Sequence, residues 1–113
     1  MCRLLGLIAN KQVKADYWFF DAETPFKDFS EKKINKGPHN SGWGIAWLEK
    51  GKWHIFKQGK DNVPRYSFNR IRDIKSKVII IHLRKASVID GVVKENTKNA
   101  HPFVYKNYVF AHN

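Results

Sequence analysis

Apolar residues along this chain fall into short runs separated by polar, glycine-containing stretches, a pattern typical of β-strands. The run at residues 4–9 predicts a buried strand close to the N-terminus. Two further runs, at residues 43–48 and 52–57, flank a short polar stretch at 49–51 that contains a glycine. Such a pair of runs predicts a β-hairpin.

The remaining pattern predicts two more strands and some helix. Residues 78–83 are rich in β-branched side chains and predict a central strand, and residues 108–111 predict another short one. Apolar positions at helical spacing predict helix over residues 13–33, in two pieces because Pro25 interrupts it. Residues 67–75 predict a further short helix. The chain is therefore expected to belong to the α+β class.

Length and composition indicate one small globular domain. The chain has 113 residues, 42% of them hydrophobic, which suffices for a single core. A single cysteine excludes an internal disulfide. Neither a leader sequence nor an apolar run of membrane-spanning length is evident, so we expect a cytoplasmic protein with no membrane partner.

The charge balance raises the question of a nucleic-acid partner. Lys and Arg number 21 against 10 Asp and Glu, a net charge of +11. A strongly basic domain can bind nucleic acid. The basic residues are scattered from Lys11 to Lys106, without a recognised nucleic-acid-binding motif. This distribution favours solvated surface charge, and a nucleic-acid-binding module is the weaker alternative.

The one cysteine, Cys2, follows the initiator methionine directly. Once Met1 is removed, the same residue carries a thiol and a free α-amino group. An α-amino group titrates at about 7.7 to 8.0, so near neutral pH part of it can accept the thiol proton. This arrangement predicts an N-terminal nucleophile. The alternative is that Cys2 is a small apolar residue without a chemical role.

Four separated motifs share one order along the chain. They are MCRLLG at residues 1–6, HNSGWGIAW at 39–47, HLRKAS at 82–87, and HPF at 101–103 followed by FAHN at 110–113. Together they resemble the class II glutamine amidotransferases, and most closely the compact subgroup that begins Met-Cys-x-Leu-Leu-Gly. The resemblance covers the whole chain. It implies an N-terminal-nucleophile hydrolase that releases ammonia from glutamine or a γ-glutamyl compound.

The resemblance also implies a role for four residues. Cys2 matches the nucleophile, and Arg84 matches the arginine that pairs with the substrate α-carboxylate. Ser87 would help to hold the same end of the substrate. Asn113 matches the asparagine whose side chain contributes to the oxyanion hole. Taken alone, Arg84 at the end of a strand could equally form a surface ion pair, and Asn113 could be a frayed terminal residue.

The resemblance implies an αββα sandwich, of which residues 1–113 would form the N-terminal portion. The family's glycine after the asparagine and its downstream aspartate have no counterpart here, so an incomplete sandwich with open strand edges and an uncovered apolar face is expected. A fragment, a subunit completed by another chain or a second copy, and a shortened product all fit this pattern. A catalytically silent or partner-dependent subunit is therefore the main alternative to an active enzyme.

No cofactor or metal site is predicted. His39, His82, His101 and His112 do not match the spacing of metal ligands, and a second cysteine is lacking. Trp43 and Trp47 are expected in the core, while Gly42 and Gly44 would allow close backbone approach to a ligand.

Overall fold

Four strands form the central antiparallel sheet of this protein. They are β1 (Arg3–Lys14), β2 (Gly42–Glu49), β3 (Lys52–Gln58) and β4 (Lys75–Arg84), lying side by side in the order β1-β4-β2-β3. The structure, a computed structural model, describes residues 2–31, 37–61 and 66–113. Each of the four strands overlaps a predicted run, so the strand predictions are confirmed.

Two small hairpins come after the sheet along the chain. Strands β5 (Val88–Ile89) and β6 (Val92–Val93) form the first, and β7 (Phe103–Tyr105) and β8 (Tyr108–Phe110) form the second. Only β8 was anticipated from the sequence. The strands β5, β6 and β7 are two or three residues long, too short for an alternation of apolar and polar positions to be visible.

The helical content is smaller than predicted. The predicted helix over residues 13–33 is wrong at its start, because β1 continues to Lys14. Beyond β1 the chain forms a π-helical turn (Tyr17–Asp21) and a single α-helical turn, α1 (Asp28–Glu31). Two pieces are thus observed, and residues 32–33 lie outside the described residues. Residues 67–75 contain only a 3₁₀ helix (Asn69–Asp73), and a second 3₁₀ helix spans Thr97–Asn99.

The core lies on one face of the sheet. Alternate side chains of β2 and β4 are buried there, because successive residues of a strand point to opposite faces. The helical segments cover this face with Phe19 and Ile71, and the turn before α1 adds Phe26. The sheet side chains that pack against them include Trp43, Ile45, Ile79, Ile81 and Leu83.

The opposite face of the sheet is partly uncovered. Leu4 and Ile8 project from β1 with 46% and 85% of their surface exposed, and Ile55 on β3 is 38% exposed. The expectation that residues 4–9 form a buried strand is therefore wrong. Strand β1 is an edge strand with one half-buried face, and the apolar residues of its other face meet solvent.

The β7–β8 hairpin covers part of this second face, next to β2 and β3. The Trp53 indole donates a hydrogen bond to the Asn107 carbonyl at 2.9 Å, and the Lys57 ammonium lies 4.5 Å from the centre of the Phe103 ring. Burial lowers the pKa of Lys57. The fold is thus a mixed α/β arrangement made mostly of strands. None of the helices among the described residues has the length and apolarity to cross a membrane.

A substitution at Gly44 tests how closely the segment that leads into this hairpin packs on the sheet. A Cβ at Gly44 would overlap the carbonyl oxygen of His101 and lie 2.9 Å from Cγ of Lys57. We expect Gly44→Ala to lower the free energy of unfolding by about 2 kcal/mol, because backbone must move to accommodate the methyl group. Urea unfolding followed by tryptophan fluorescence measures this. The control is Gly6→Ala, where a Cβ has no neighbour within 4 Å. Equal stability of the two variants would contradict the packing described.

Candidate active site

The register of the sheet brings the start of β1 and the end of β4 together. Arg3 of β1 pairs with Leu83 of β4. Because the strands are antiparallel, Cys2, which precedes Arg3, lies beside Arg84, which follows Leu83, at the same end of the sheet. The Cys2 thiol is half-buried and lies 3.9 Å from the carbonyl oxygen of Lys85. A nucleophile candidate and a cation thus stand at neighbouring strand ends.

An open cavity of about 510 Å³ lies at this end of the sheet. All four residues singled out by the sequence line it, namely Cys2, Arg84, Ser87 and Asn113. Ile89 and Val92 from the β5–β6 hairpin and Phe103 from β7 contribute apolar surface to the same cavity. The structure therefore brings the predicted residues into one place, while their roles in a reaction stay predictions.

Arg84 is held at both its backbone and its side chain. Its carbonyl accepts a hydrogen bond from the Ser41 amide at 2.9 Å, and its Nη1 donates to the carbonyl of Lys94. A guanidinium group has five N–H donors in a fixed plane. Donors therefore remain for a carboxylate in the cavity, with the plane of the fork already oriented by Lys94.

The segment that carries Lys94 is itself anchored to the chain after β3. The Lys60 amide donates to the Glu95 carbonyl at 2.7 Å, and the two side chains form an ion pair at 2.7 Å. Asp61 Oδ1 accepts from both the amide and the hydroxyl of Thr97, each at 2.7 Å. These bonds fix the carbonyl that orients the guanidinium, so the arginine depends on contacts far from it in sequence.

Three histidines meet beside the cavity. The rings of His82 and His101 stack with centroids 4.5 Å apart, and His112 lies edge-on to His101 at 4.6 Å. Nε2 of His82 donates to the carbonyl of His112 at 3.0 Å, and Nδ1 of His101 accepts the His112 amide at 3.3 Å. A carbonyl can only accept a hydrogen bond and a backbone amide can only donate one. Nε2 of His82 therefore carries a proton, and Nδ1 of His101 does not.

Burial disfavours protonation of two of these rings. Burial, with smaller contributions from the nearby His101, His112 and Arg84, lowers the pKa of His82 from its usual 6.5 to about 4. Burial also lowers the pKa of His101, with His112, Arg84 and Lys57 adding to the effect. Uncharged rings at neutral pH agree with the hydrogen bonds, since His101 accepts through a nitrogen that protonation would convert to a donor.

The remaining candidates lie at the outer part of the cavity. Ser87 and Asn113 are exposed, and Nδ1 of His112 lies 3.1 Å from the backbone oxygen of Asn113. Gly44 approaches the His101 carbonyl rather than an open ligand space. Within the described ranges, no group of three or more His, Cys, Asp or Glu side chains is placed to hold a metal ion.

Comparison with known proteins identifies the family of this chain. The family model of the class II glutamine amidotransferases matches residues 1–113. The chain belongs to the class II glutamine amidotransferase family. It is 35% identical over 124 residues to the Escherichia coli K12 protein named "Putative glutamine amidotransferase YafJ", and 34% identical over 119 residues to a Haemophilus influenzae protein with the same kind of name. An uncharacterized protein of Methanocaldococcus jannaschii is also 34% identical over 119 residues.

Each of these matches includes all of this chain but less than half of the relative. The chain spans 42% of the Escherichia coli protein, 37% of the Haemophilus influenzae protein and 30% of the Methanocaldococcus jannaschii protein.

The histidine cluster is the part of the site that the sequence did not reveal. The spacing of His82, His101 and His112 does not match that of metal ligands, so it provided no reason to expect contact among the three. A usable signal was their position, because His82 lies two residues before Arg84 on the same strand and His112 lies directly before Asn113. Residues that far apart along a strand share a face, so His82 and Arg84 were predictable neighbours.

The lowered pKa of His82 predicts acid sensitivity. Between pH 6.5 and about 4 the unfolded chain binds a proton on this residue that the folded protein does not bind, so stability falls as the pH falls. We expect His82 alone to lower the free energy of unfolding by up to about 3 kcal/mol across that window. Urea unfolding at a series of pH values measures it.

The control for this prediction is a histidine away from the cavity. His54 is exposed and stacks on Trp47 at 5.5 Å. His82→Gln should flatten the dependence of stability on pH between 6.5 and 4, and should do so more strongly than His54→Gln. The same slope in all three proteins would show that His82 is not the residue responsible.

Proposed function

We propose that this protein is a glutamine amidotransferase in which Cys2, freed from Met1, attacks the side-chain amide of glutamine or a γ-glutamyl compound. The observation that carries the proposal is that Cys2, Arg84, Ser87 and Asn113 all line the same cavity. Membership of the class II family supports glutamine as the substrate. The relatives named for this activity support the same class of reaction.

The first step is formation of a bond from the Cys2 sulfur to the amide carbon. The α-amino group of Cys2 accepts the thiol proton, because it is the base nearest to the sulfur and is partly unprotonated near neutral pH. The amide oxygen becomes an oxyanion. The side-chain amide of Asn113 donates a hydrogen bond to it, which stabilises the charge as it develops.

The second step breaks the bond between the amide carbon and nitrogen. The ammonium group of Cys2 returns its proton to the departing nitrogen, and ammonia leaves behind a γ-glutamyl thioester on the sulfur. Water then attacks the thioester carbon and loses a proton to the Cys2 amine. The thiol is released together with the γ-carboxylic acid, so the enzyme regains its starting state.

Arg84 is proposed to bind the substrate α-carboxylate. Its guanidinium lines the cavity and is oriented by Lys94, so two parallel hydrogen bonds to a carboxylate can fix both distance and direction. Ser87, exposed on the same cavity, is proposed to donate to the same end of the substrate. The reaction needs a reduced thiol, which is the state maintained in the cytoplasm, the proposed location.

The fold is proposed to be the N-terminal portion of an αββα sandwich. The helical segments cover one face of the β1–β4 sheet, and the β7–β8 hairpin lies on the other, where a second sheet would be placed. The exposed Leu4 and Ile8 favour coverage of this face by additional chain. The second candidate function arises from this feature: a subunit that is silent until another chain or a second copy completes the site.

The proposed function is tested by ammonia release from glutamine, using protein whose mass shows that Met1 has been removed. Cys2→Ala should abolish release. Asn113→Ala should lower kcat by about a hundred- to a thousandfold, since it removes an oxyanion donor. Arg84→Lys should raise KM by about ten- to a hundredfold, because a lysine cannot pair with both carboxylate oxygens.

The matched control for Arg84 is Arg70→Lys. Arg70 lies 4.7 Å from the Phe56 ring at a different surface of the protein, and its replacement should leave KM unchanged. Ammonia release that persists in Cys2→Ala would contradict the proposed mechanism. A folded protein with a free Cys2 amine that releases no ammonia alone, but does so with a completing chain, would favour the partner-dependent subunit.

A further inference from the structure

The peptide groups on both sides of His112 are held by imidazole rings from other parts of the chain. His82 from β4 donates to the His112 carbonyl at 3.0 Å, and His101, in the segment before β7, accepts the His112 amide at 3.3 Å. Both backbone polar groups of His112 are thus satisfied by side chains. The residue held in this way is the one directly before Asn113.

From this arrangement, we propose that His82 and His101 are positioning residues that fix the His112 backbone and thereby place Asn113 at the cavity. The inference rests on the proposed function only in that Asn113 is there given the role of oxyanion donor. Neither ring is assigned a contact with substrate. The two rings give the exposed residues His112 and Asn113 a defined position by binding the backbone of His112.

The two rings are suited to this task because they are rigidly held. His82 has none of its surface exposed and His101 only 8%, and the two rings stack at an interplanar angle of 29°. The carbonyl of His101 packs against Gly44 of β2, where a side chain would leave no room. The connection therefore runs from the central sheet through two imidazoles to the His112 backbone.

The hydrogen bond from the His112 amide requires an uncharged His101 ring, because the ring accepts it through Nδ1. A proton on Nδ1 of His101 would face the His112 N–H, so that bond would be lost. The groups that face the pair are His112 after β8, Arg84 on β4 and Lys57 on β3, and each disfavours a positive charge on the rings. Protonation of His82 would create an N–H at Nδ1, which is buried and has no hydrogen-bond partner among the described residues, so this N–H would lack an acceptor.

The experiment compares two substitutions of His82 by amide hydrogen exchange and by enzyme kinetics. Gln places an amide N–H donor near the position of Nε2, whereas Leu removes the donor at similar volume. We expect His82→Leu to lower the exchange protection of the His112 amide and to lower kcat, each by about tenfold or more, with KM little changed. His82→Gln should retain most of both. His54→Leu, at an exposed ring, should resemble wild type.

A second measurement applies to unaltered protein and does not depend on any variant folding. Protection factors for the His112 amide, followed by NMR as the pH is lowered, should fall in the same range in which the rings of His82 and His101 take up protons. A long-range ¹H–¹⁵N spectrum at neutral pH should show His82 as the Nε2–H tautomer and His101 with an unprotonated Nδ1.

The outcomes separate this inference from the proposed function. Protection that falls in His82→Leu and is retained in His82→Gln supports the positioning role, even if wild-type protein releases no ammonia. Wild-type protection of the His112 amide in His82→Leu, or protection of that amide after both rings are protonated, would overturn it, even if the protein is an active glutaminase.

Discussion

The antiparallel pairing of β1 with β4 is the constraint on which the site depends. It aligns Arg3 with Leu83, and this alignment alone sets Cys2 beside Arg84, residues separated by 82 positions in the sequence. A shift of the register by one residue would turn every side chain of β1 to the opposite face of the sheet. Leu5 and Leu7 would then lose their packing against the core, so the same burial that stabilises the sheet also fixes the position of Cys2.

Around this strand pair, the site is assembled from segments that have little structure of their own. The Lys94 carbonyl, held through Lys60 and Asp61, orients the Arg84 guanidinium. Two buried imidazoles orient the backbone before Asn113. Such segments gain their position from hydrogen bonds to the sheet and to the chain that follows β3, because two- and three-residue strands bury too little surface to be stable alone. The site is therefore as sensitive to these polar contacts as to the hydrophobic core.

Sequence patterns predicted the four strands, and the resemblance to the family singled out the four residues that line the cavity, but neither predicted how the segments between them are held. Long apolar runs such as residues 78–83 indicate their structure locally. Tyr17–Asp21 is helical for only one turn, and its apolar spacing could not distinguish this from the long helix predicted over residues 13–33. The histidine cluster escaped prediction since it depends on contacts between His82, His101 and His112, which only the packing of the β7–β8 hairpin on the sheet creates.

The central claim, that Cys2 is a nucleophile facing a carboxylate-binding arginine, is tested most directly by covalent labelling. Protein with a free Cys2 amine would be treated with a glutamine analogue that carries an electrophilic ketone in place of the amide, and the labelled peptide identified by mass spectrometry. The account predicts one adduct, on Cys2, that glutamine suppresses and that Arg84→Lys slows. Labelling of Cys2 at a rate unaffected by glutamine and by Arg84→Lys would contradict it.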